Sequence, residues 1–201
     1  MATDINAIIR NLDAFYNFSN KSVIHIGAGG GQLIGYAAET RSVLAVDTDA
    51  DALDKLKLAI EKAKMSERFQ IFEGDFHEVS VSADVAFFEF CLHEMNQPAE
   101  ALAKAQTLAP EILIIDHLPE SPWSWYADET QKLEKSWAAV EACDVSRRQE
   151  YLAIQYFGNY SELFEKVHIL GETVINRIDE FKDRKNIQIE MPYGMALISS
   201  R

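Results

Sequence analysis

The chain has 201 residues, of which 48% are hydrophobic and 25% charged, a composition typical of globular proteins and not of disordered ones. Its 19 basic and 32 acidic side chains give a formal net charge of −13 at pH 7. A chain this acidic repels polyphosphates and anionic lipid, so we expect neither nucleic acid nor a membrane as its partner. The sequence has no apolar run of the about 20 residues that a membrane span needs, and its start has no signal-peptide pattern. Two cysteines cannot form a disulfide framework, which favours a cytoplasmic protein.

Short, almost wholly apolar runs predict the strands of a parallel sheet. They cover residues 22–26, 42–46, 69–72, 84–90 and 111–116. Such runs are typical of parallel strands that are covered by helices on both faces. Between them, apolar residues at helical spacing predict helices over 49–65 and 98–108. Asp49 is a suitable N-cap for the first helix, and Pro98 suits the first turn of the second.

The C-terminal half departs from this alternation. Residues 166–176 and 187–199 read as two further strands, whose short connection allows an antiparallel hairpin. The stretch between 116 and 166 is longer than one crossover needs, and helical patterns over 122–144 and 147–165 predict a helical insert at about 118–160. We therefore expect one α/β domain over 1–201. It has a doubly wound, mostly parallel seven-stranded sheet, a C-terminal antiparallel hairpin and a helical insert after the fifth strand.

A glycine cluster follows the first predicted strand. Four of the nine glycines lie within residues 27–31. Glycine suits such a turn because it adopts unusual backbone angles and lets the backbone approach a ligand. We expect the N-terminus of a helix next, with free N–H groups. Asp47 ends the second strand, where a carboxylate can accept hydrogen bonds from both ribose hydroxyls of an adenosine cofactor. The spacing G-x-G-x-G differs from the dinucleotide fingerprint, whose third glycine would fall at Gln32.

Together these features resemble class I, Rossmann-like S-adenosylmethionine-dependent methyltransferases that act on small molecules. The glycine loop matches that family's first motif, and Asp47 matches its ribose-binding acid. The resemblance continues in Gly74-Asp75-Phe76, in DVAFFEFCLHEM at 84–95, in EILIIDHL at 111–118 and in YGMALIS at 193–199. It covers most of the chain outside 117–165.

The resemblance implies S-adenosylmethionine as cofactor and a small-molecule methyl acceptor as partner. It implies an acidic residue for the adenine amino group at Asp75 and a residue packing on the ring at Phe76. His25 departs from the family, which usually has an acid there, facing the methionine end of the cofactor. The expected cofactor-binding residues are His25, Gly27, Ala28, Gly29, Gly31, Asp47, Thr48, Asp75, Phe76 and Glu89.

His93 is the candidate catalytic base because the unperturbed pKa of histidine is near neutrality. A structural or helix-capping role is the alternative for this residue. Glu89, His93, Glu94 and His117 are an alternative set for a metal site, but no ligand spacing such as HExxH is present, and we expect no metal.

The predicted insert is rich in aromatic residues and contains all three tryptophans. Such a segment beside the carboxyl edge of the sheet can cap an apolar acceptor and exclude water. The alternative is that these rings pack the insert onto the sheet. The expected acceptor-binding residues are His117, Trp123, Trp125 and Tyr126.

Two other functions stay open at this point. An NAD(P)-dependent oxidoreductase is one, although the position of Gln32 argues against it. A non-catalytic S-adenosylmethionine-binding protein is the other, because His25 replaces the usual acid and no catalytic base is unmistakable. Neither the acceptor nor the oligomeric state can be read from the sequence.

Overall fold

The computed structural model describes residues 4–199. Within this range the strands are β1 (Ser22–Ile26), β2 (Ser42–Asp47), β3 (Phe69–Glu73), β4 (Val85–Glu89), β5 (Glu111–His117), β6 (Val145–Asn159) and β7 (Lys185–Ser199). The α-helices are α1 (Ile5–Phe15), α2 (Ala50–Lys62), α3 (Pro98–Leu108), α4 (Pro122–Tyr126), α5 (Thr130–Glu141), α6 (Tyr160–Val167) and α7 (Glu172–Ile178). None of the helices in the described range is long and apolar enough to cross a membrane.

The seven strands form one sheet in the order β3-β2-β1-β4-β5-β7-β6. The pairs among β1 to β5 are parallel, whereas β7 is antiparallel to both β5 and β6. The chain leaves β1 towards β2 on one side and returns to β4 on the other side. The carboxyl ends of β1 and β4 therefore flank the switch point at which doubly wound sheets bind ligands.

The central strands are buried on both faces, as their unbroken apolar runs predict. In β4, Val85 and Phe87 belong to one core, whereas Ala86 and Phe88 belong to the other. Residues of α1, α2, α6 and α7 complete the first core, and residues of α3 and α5 complete the second. The predicted fold, a doubly wound and mostly parallel seven-stranded sheet, is confirmed.

The caps and bounds of the early helices are also close to prediction. The side chain of Asp49 accepts a hydrogen bond from the backbone N–H of Ala52 and so caps α2. Pro98 lies in the first turn of α3. The helix expected after the glycine loop is wrong in type, because a six-residue 3₁₀ helix, Ile34–Glu39, stands there. A turn this short offers the glycine loop no α-helical N-terminus.

Two predicted elements of the C-terminal half are wrong. The helices expected over 122–144 are present as α4 and α5, but 147–165 is β6 followed by α6, and the strand expected over 166–176 is helical. The antiparallel pair is thus β6 with β7, with α6 and α7 between them and no short hairpin turn. The buried residues Leu163, Val167, Val174 and Ile178 lie four, seven and four residues apart, which is helical spacing.

Candidate active site

Two adjoining cavities open at the carboxyl ends of the parallel strands. The first, of about 620 Å³, lies over β1, β2 and β3 and reaches the start of α3. The second, of about 420 Å³, lies between the glycine loop, the end of β5, α4 and α6. Gly27, Glu89, Phe90 and Glu94 line both cavities and form the boundary between them.

The glycine loop needs glycine at the positions that its motif specifies. Gly27, Gly29 and Gly31 have φ angles of 69°, 47° and 77°, which side chains with a Cβ atom rarely adopt. A Cβ atom on Gly27 would lie 2.4 Å from Cβ of Cys91, and one on Gly31 would lie 2.8 Å from Cδ1 of Leu56. The loop is therefore packed closely on β4 and α2.

Asp47 joins this loop to the end of β2. One carboxylate oxygen accepts a hydrogen bond from the N–H of Gly29 at 2.7 Å, and the other accepts one from the N–H of Asp49 at 3.0 Å. Asp47 also lines the first cavity. Since each carboxylate oxygen can accept more than one hydrogen bond, Asp47 keeps acceptor capacity for a ligand in that cavity.

The far wall of the first cavity follows β3. Asp75 and Phe76 line it, Phe76 is buried, and Thr48 lines the cavity at the end of β2. One oxygen of Asp75 accepts a hydrogen bond from the N–H of His77 at 2.8 Å, which fixes the carboxylate at the start of a 3₁₀ turn. An acid and an aromatic ring thus follow β3, which is separated from β4 and Glu89 by two strands of the sheet.

His25 and Glu89 form a buried pair beneath the boundary of the cavities. Nε2 of His25 lies 2.7 Å from Oε2 of Glu89, although the two atoms are not aligned as a hydrogen bond. The other ring nitrogen is 3.1 Å from the hydroxyl of Tyr36, and the ring stacks on Phe87. His25 is fully buried and is not among the residues that line either cavity. Burial raises the pKa of Glu89 against the opposing effect of His25.

Residues 24–110, from β1 to the end of α3, match the sequence model of a methyltransferase domain family. This part of the chain therefore carries a methyltransferase domain. No curated protein sequence matches this chain significantly.

Solved structures share the fold of this methyltransferase at low sequence identity. A putative methyltransferase from Bacillus halodurans is 13% identical, with 98% of each chain covered and a TM-score of 0.67. An S-adenosylmethionine-dependent methyltransferase from Aquifex aeolicus is 15% identical, with 98% of this chain and 90% of that chain covered and a TM-score of 0.59. A putative RNA methyltransferase from Pyrococcus horikoshii is 17% identical, with 99% and 82% covered and a TM-score of 0.59.

The residues of the methyltransferase fit S-adenosylmethionine in the first cavity. Asp47 and Asp75 supply acceptors along one wall, as a ribose and an adenine amino group require. Glu89 lines the same cavity, and its Oε2, 2.7 Å from Nε2 of His25, has no aligned hydrogen-bond partner among the described residues. Ala28 is buried in the core, and Gly31 packs on α2, so both shape the loop from behind.

His93 lies at the junction of three acidic side chains. It is 4% exposed, and its Nδ1 is 2.7 Å from Oδ1 of Asp116. Its Nε2 is 3.3 Å from Oε1 of Glu94 and 3.9 Å from Oε2 of Glu129. Burial works to lower the pKa of His93, but hydrogen bonds to Asp116 and Glu94 outweigh it and raise the pKa to about 10.

The neighbours of His93 are shifted as well. The hydrogen bond from His93 lowers the pKa of Glu94 to about 2. Burial raises the pKa of Glu129 to about 7. Burial also lowers the pKa of His117 to about 4, so that its ring is neutral. Nδ1 of His117 is buried without a partner in the described part of the chain.

Of the four residues expected to bind the acceptor, the structure brings two to the second cavity. His117 and Trp123 line it. Trp123 also stacks on Phe157, so it both lines the cavity and packs α4 onto the sheet. Trp125 is 48% exposed beneath the guanidinium group of Arg177, and Tyr126 donates a hydrogen bond to Glu180. Neither of these two lines either cavity.

Sequence reasoning missed several lining residues of the second cavity. Glu129 and Lys166 follow no motif, and only the folding of α4, α5 and α6 brings them there. Phe90 has a φ angle of 46°, a strained value for a bulky residue, and its ring packs on His117. Gln155 could have been identified from the sequence, because it is the one polar residue among the alternate, inward-facing positions Ala153, Gln155 and Phe157 of β6. That pattern is visible only once 145–159 is read as a strand.

Proposed function

We propose that this methyltransferase transfers the methyl group of S-adenosylmethionine to a small molecule held in the second cavity. The observation that carries the proposal is the second cavity itself. It has about 420 Å³ and meets the first cavity at Gly27, Glu89 and Phe90. Pockets of about 300–1,000 Å³ are typical of small-molecule sites. The two ligands would therefore meet across this boundary.

The charge of the protein supports a small molecule over a nucleic acid. The net charge is −13, and Lys166 is the one lysine or arginine among the described residues that line the two cavities. Nucleic-acid binding draws most of its affinity from several basic contacts to phosphates. The P. horikoshii protein of similar fold is described as a putative RNA methyltransferase, so RNA is the alternative acceptor to be tested.

In this proposal the first cavity binds the cofactor and the second binds the acceptor. Bound S-adenosylmethionine would supply a methyl group on a sulfonium, an electrophile that needs only an aligned nucleophile. Asp47, Asp75 and Glu89 would hold the cofactor, and Phe90 would separate it from the acceptor. His93, the candidate catalytic residue, and His117 share the acceptor wall. Holding the acceptor atom in line there accounts for much of the rate gain expected of such an enzyme.

The experiment follows the label from S-adenosylmethionine that is tritiated in its methyl group. The protein is incubated with three fractions of a cell extract: dialysable small molecules, total RNA and total protein. We expect label in the small-molecule fraction. It should be strongly reduced by Asp47→Asn and unchanged by Asp51→Asn, which removes an exposed charge outside both cavities. Label that enters only RNA or only protein would refute the small-molecule acceptor.

A further inference from the structure

Three side chains that line the second cavity are arranged as metal ligands. His93, Glu94 and Glu129 each offer one ligand atom, and these three atoms lie within 4.8 Å of one another. We propose that these three side chains bind a divalent transition-metal ion at the second cavity. The sequence pattern favoured no metal because the third ligand, Glu129, is distant in sequence from the other two and belongs to no motif.

The distances suit an ion placed among the three atoms. Nε2 of His93 is 3.3 Å from Oε1 of Glu94 and 3.9 Å from Oε2 of Glu129. Bonds of about 2.0–2.2 Å to nitrogen and oxygen place neighbouring ligand atoms about 3 Å apart. All three atoms lie within 4.8 Å of one another, so binding an ion requires the two carboxylates to move closer together. The second oxygen of Glu94 is held by Lys132 at 2.8 Å, which leaves Oε1 free to face His93.

Asp116 supplies the outer support that a histidine ligand usually has. Its Oδ1 is 2.7 Å from Nδ1 of His93, and its Oδ2 accepts a hydrogen bond from the backbone N–H of His93 at 3.2 Å. A carboxylate on one ring nitrogen fixes the orientation of the ring and directs the other nitrogen towards the metal. Here that other nitrogen is the one that faces both glutamates.

Two buried oxygen atoms in this cavity support the proposal. Oε2 of Glu129 is buried and has no hydrogen-bond partner in the described residues. Oε1 of Gln155, a side chain that is 5% exposed, is also unpaired and belongs to a residue that lines the same cavity. Buried acceptors are costly unless they are paired, so a cation and the molecules it holds would satisfy both.

The donor set selects the class of ion. One imidazole nitrogen with two carboxylates suits Mn²⁺, Fe²⁺, Co²⁺ or Zn²⁺, whereas Mg²⁺ and Ca²⁺ prefer oxygen ligands alone. Three protein ligands leave coordination positions open towards the cavity. If the proposed function holds, on which this role rests, an acceptor oxygen, nitrogen or sulfur would fill one of them. The ion would then lower the pKa of the acceptor and orient it.

The test measures metal binding directly, without turnover. Protein freed of metal by chelation and dialysis is titrated with Zn²⁺ by calorimetry and with Co²⁺ by visible absorbance. We expect one ion per chain and the ligand-field bands of cobalt bound to nitrogen and oxygen. Glu129→Gln and His93→Gln should each weaken binding at least tenfold. Asp116→Asn, as a positioning change, should weaken it about 10- to 100-fold.

Glu134→Gln is the matched control, because it makes the same charge change at an exposed position of the neighbouring helix α5. Its affinity should equal that of the unchanged protein. Thermal unfolding of each variant shows whether it is folded. Affinity of Glu129→Gln and His93→Gln equal to that of the control, or no binding by the unchanged protein, would overturn the metal site. Binding of S-adenosylhomocysteine to the same samples tests the cofactor site separately, so the two proposals can fail independently.

Discussion

At the scale of single residues, the glycine loop shows most directly how sequence determines structure. Gly30 and Gly31 are neighbours, but only Gly31 has a positive φ angle and a side chain within 3 Å of its missing Cβ atom. Gly31→Ala should therefore lower the free energy of unfolding by about 2–4 kcal/mol, from backbone strain and overpacking against Leu56. Gly30→Ala should change it little, since its Cβ atom would meet Lys55 only at 3.7 Å. Chemical denaturation of both variants checks this, and equal effects would contradict it.

The residues that could be predicted are those whose role depends on local spacing. The glycines and Asp47 lie at the ends of adjacent parallel strands, so their meeting follows from the βαβ rule and a count along the chain. The pairing of His25 with Glu89, and that of His93 with Asp116 and Glu129, depends on strand register and on the placement of α5. The sequence identified His25 as unusual and Glu89 as a cofactor-binding candidate, but only the structure shows that the two side chains lie 2.7 Å apart.

At the scale of elements, polarity and burial explain where prediction failed. β6 lies at the edge of the sheet, and its residues 146–150 are exposed, so its first half lacks the apolar alternation that marks a strand. Residues 166–176 were mistaken in the other direction. They form helices, but the apolar residues Ile169 and Leu170, which are in fact exposed, gave the segment the apolar run of a buried strand. β1 to β5 were predictable because burial on both faces leaves an unbroken apolar run.

The helical character of residues 160–170 predicts which of their apolar side chains contribute to the free energy of unfolding. A strand would put Val167 and Ile169 on one face, whereas α6 puts Val167 with Leu163 and leaves Ile169 79% exposed. Leu163→Ala should lower the free energy of unfolding by about 2–5 kcal/mol, the usual cost of a cavity in a core. Ile169→Ala should stay within about 0.5 kcal/mol. Urea denaturation compares the two, and a larger effect at Ile169 would mean that the segment is not helical there.

At the scale of the whole molecule, the net charge of −13 is opposite in sign to the charged groups of the expected cofactor. S-adenosylmethionine carries a sulfonium and an ammonium, and the first cavity presents Asp47, Asp75, Glu89, Glu94 and Glu100 to whatever occupies it. An NAD cofactor would instead bring a pyrophosphate to the glycine loop, which the short 3₁₀ helix Ile34–Glu39 serves poorly as an anion site. The same acidic wall therefore favours one nucleoside cofactor over the other.

Thermal unfolding with added ligand tests this preference on the intact protein. S-adenosylhomocysteine at about 100 times its Kd adds about 2.7 kcal/mol of stability, which for a chain of this size raises Tm by about 5–10 °C. NADH at the same concentration should leave Tm unchanged. Asp47→Asn removes a charge-assisted acceptor and should weaken S-adenosylhomocysteine binding by about 1–3 kcal/mol, shrinking the shift accordingly. Asp51→Asn, an exposed charge on α2 outside the cavities, should keep the full shift. A shift with NADH that exceeds the shift with S-adenosylhomocysteine would show that the acidic wall does not select the cofactor as argued.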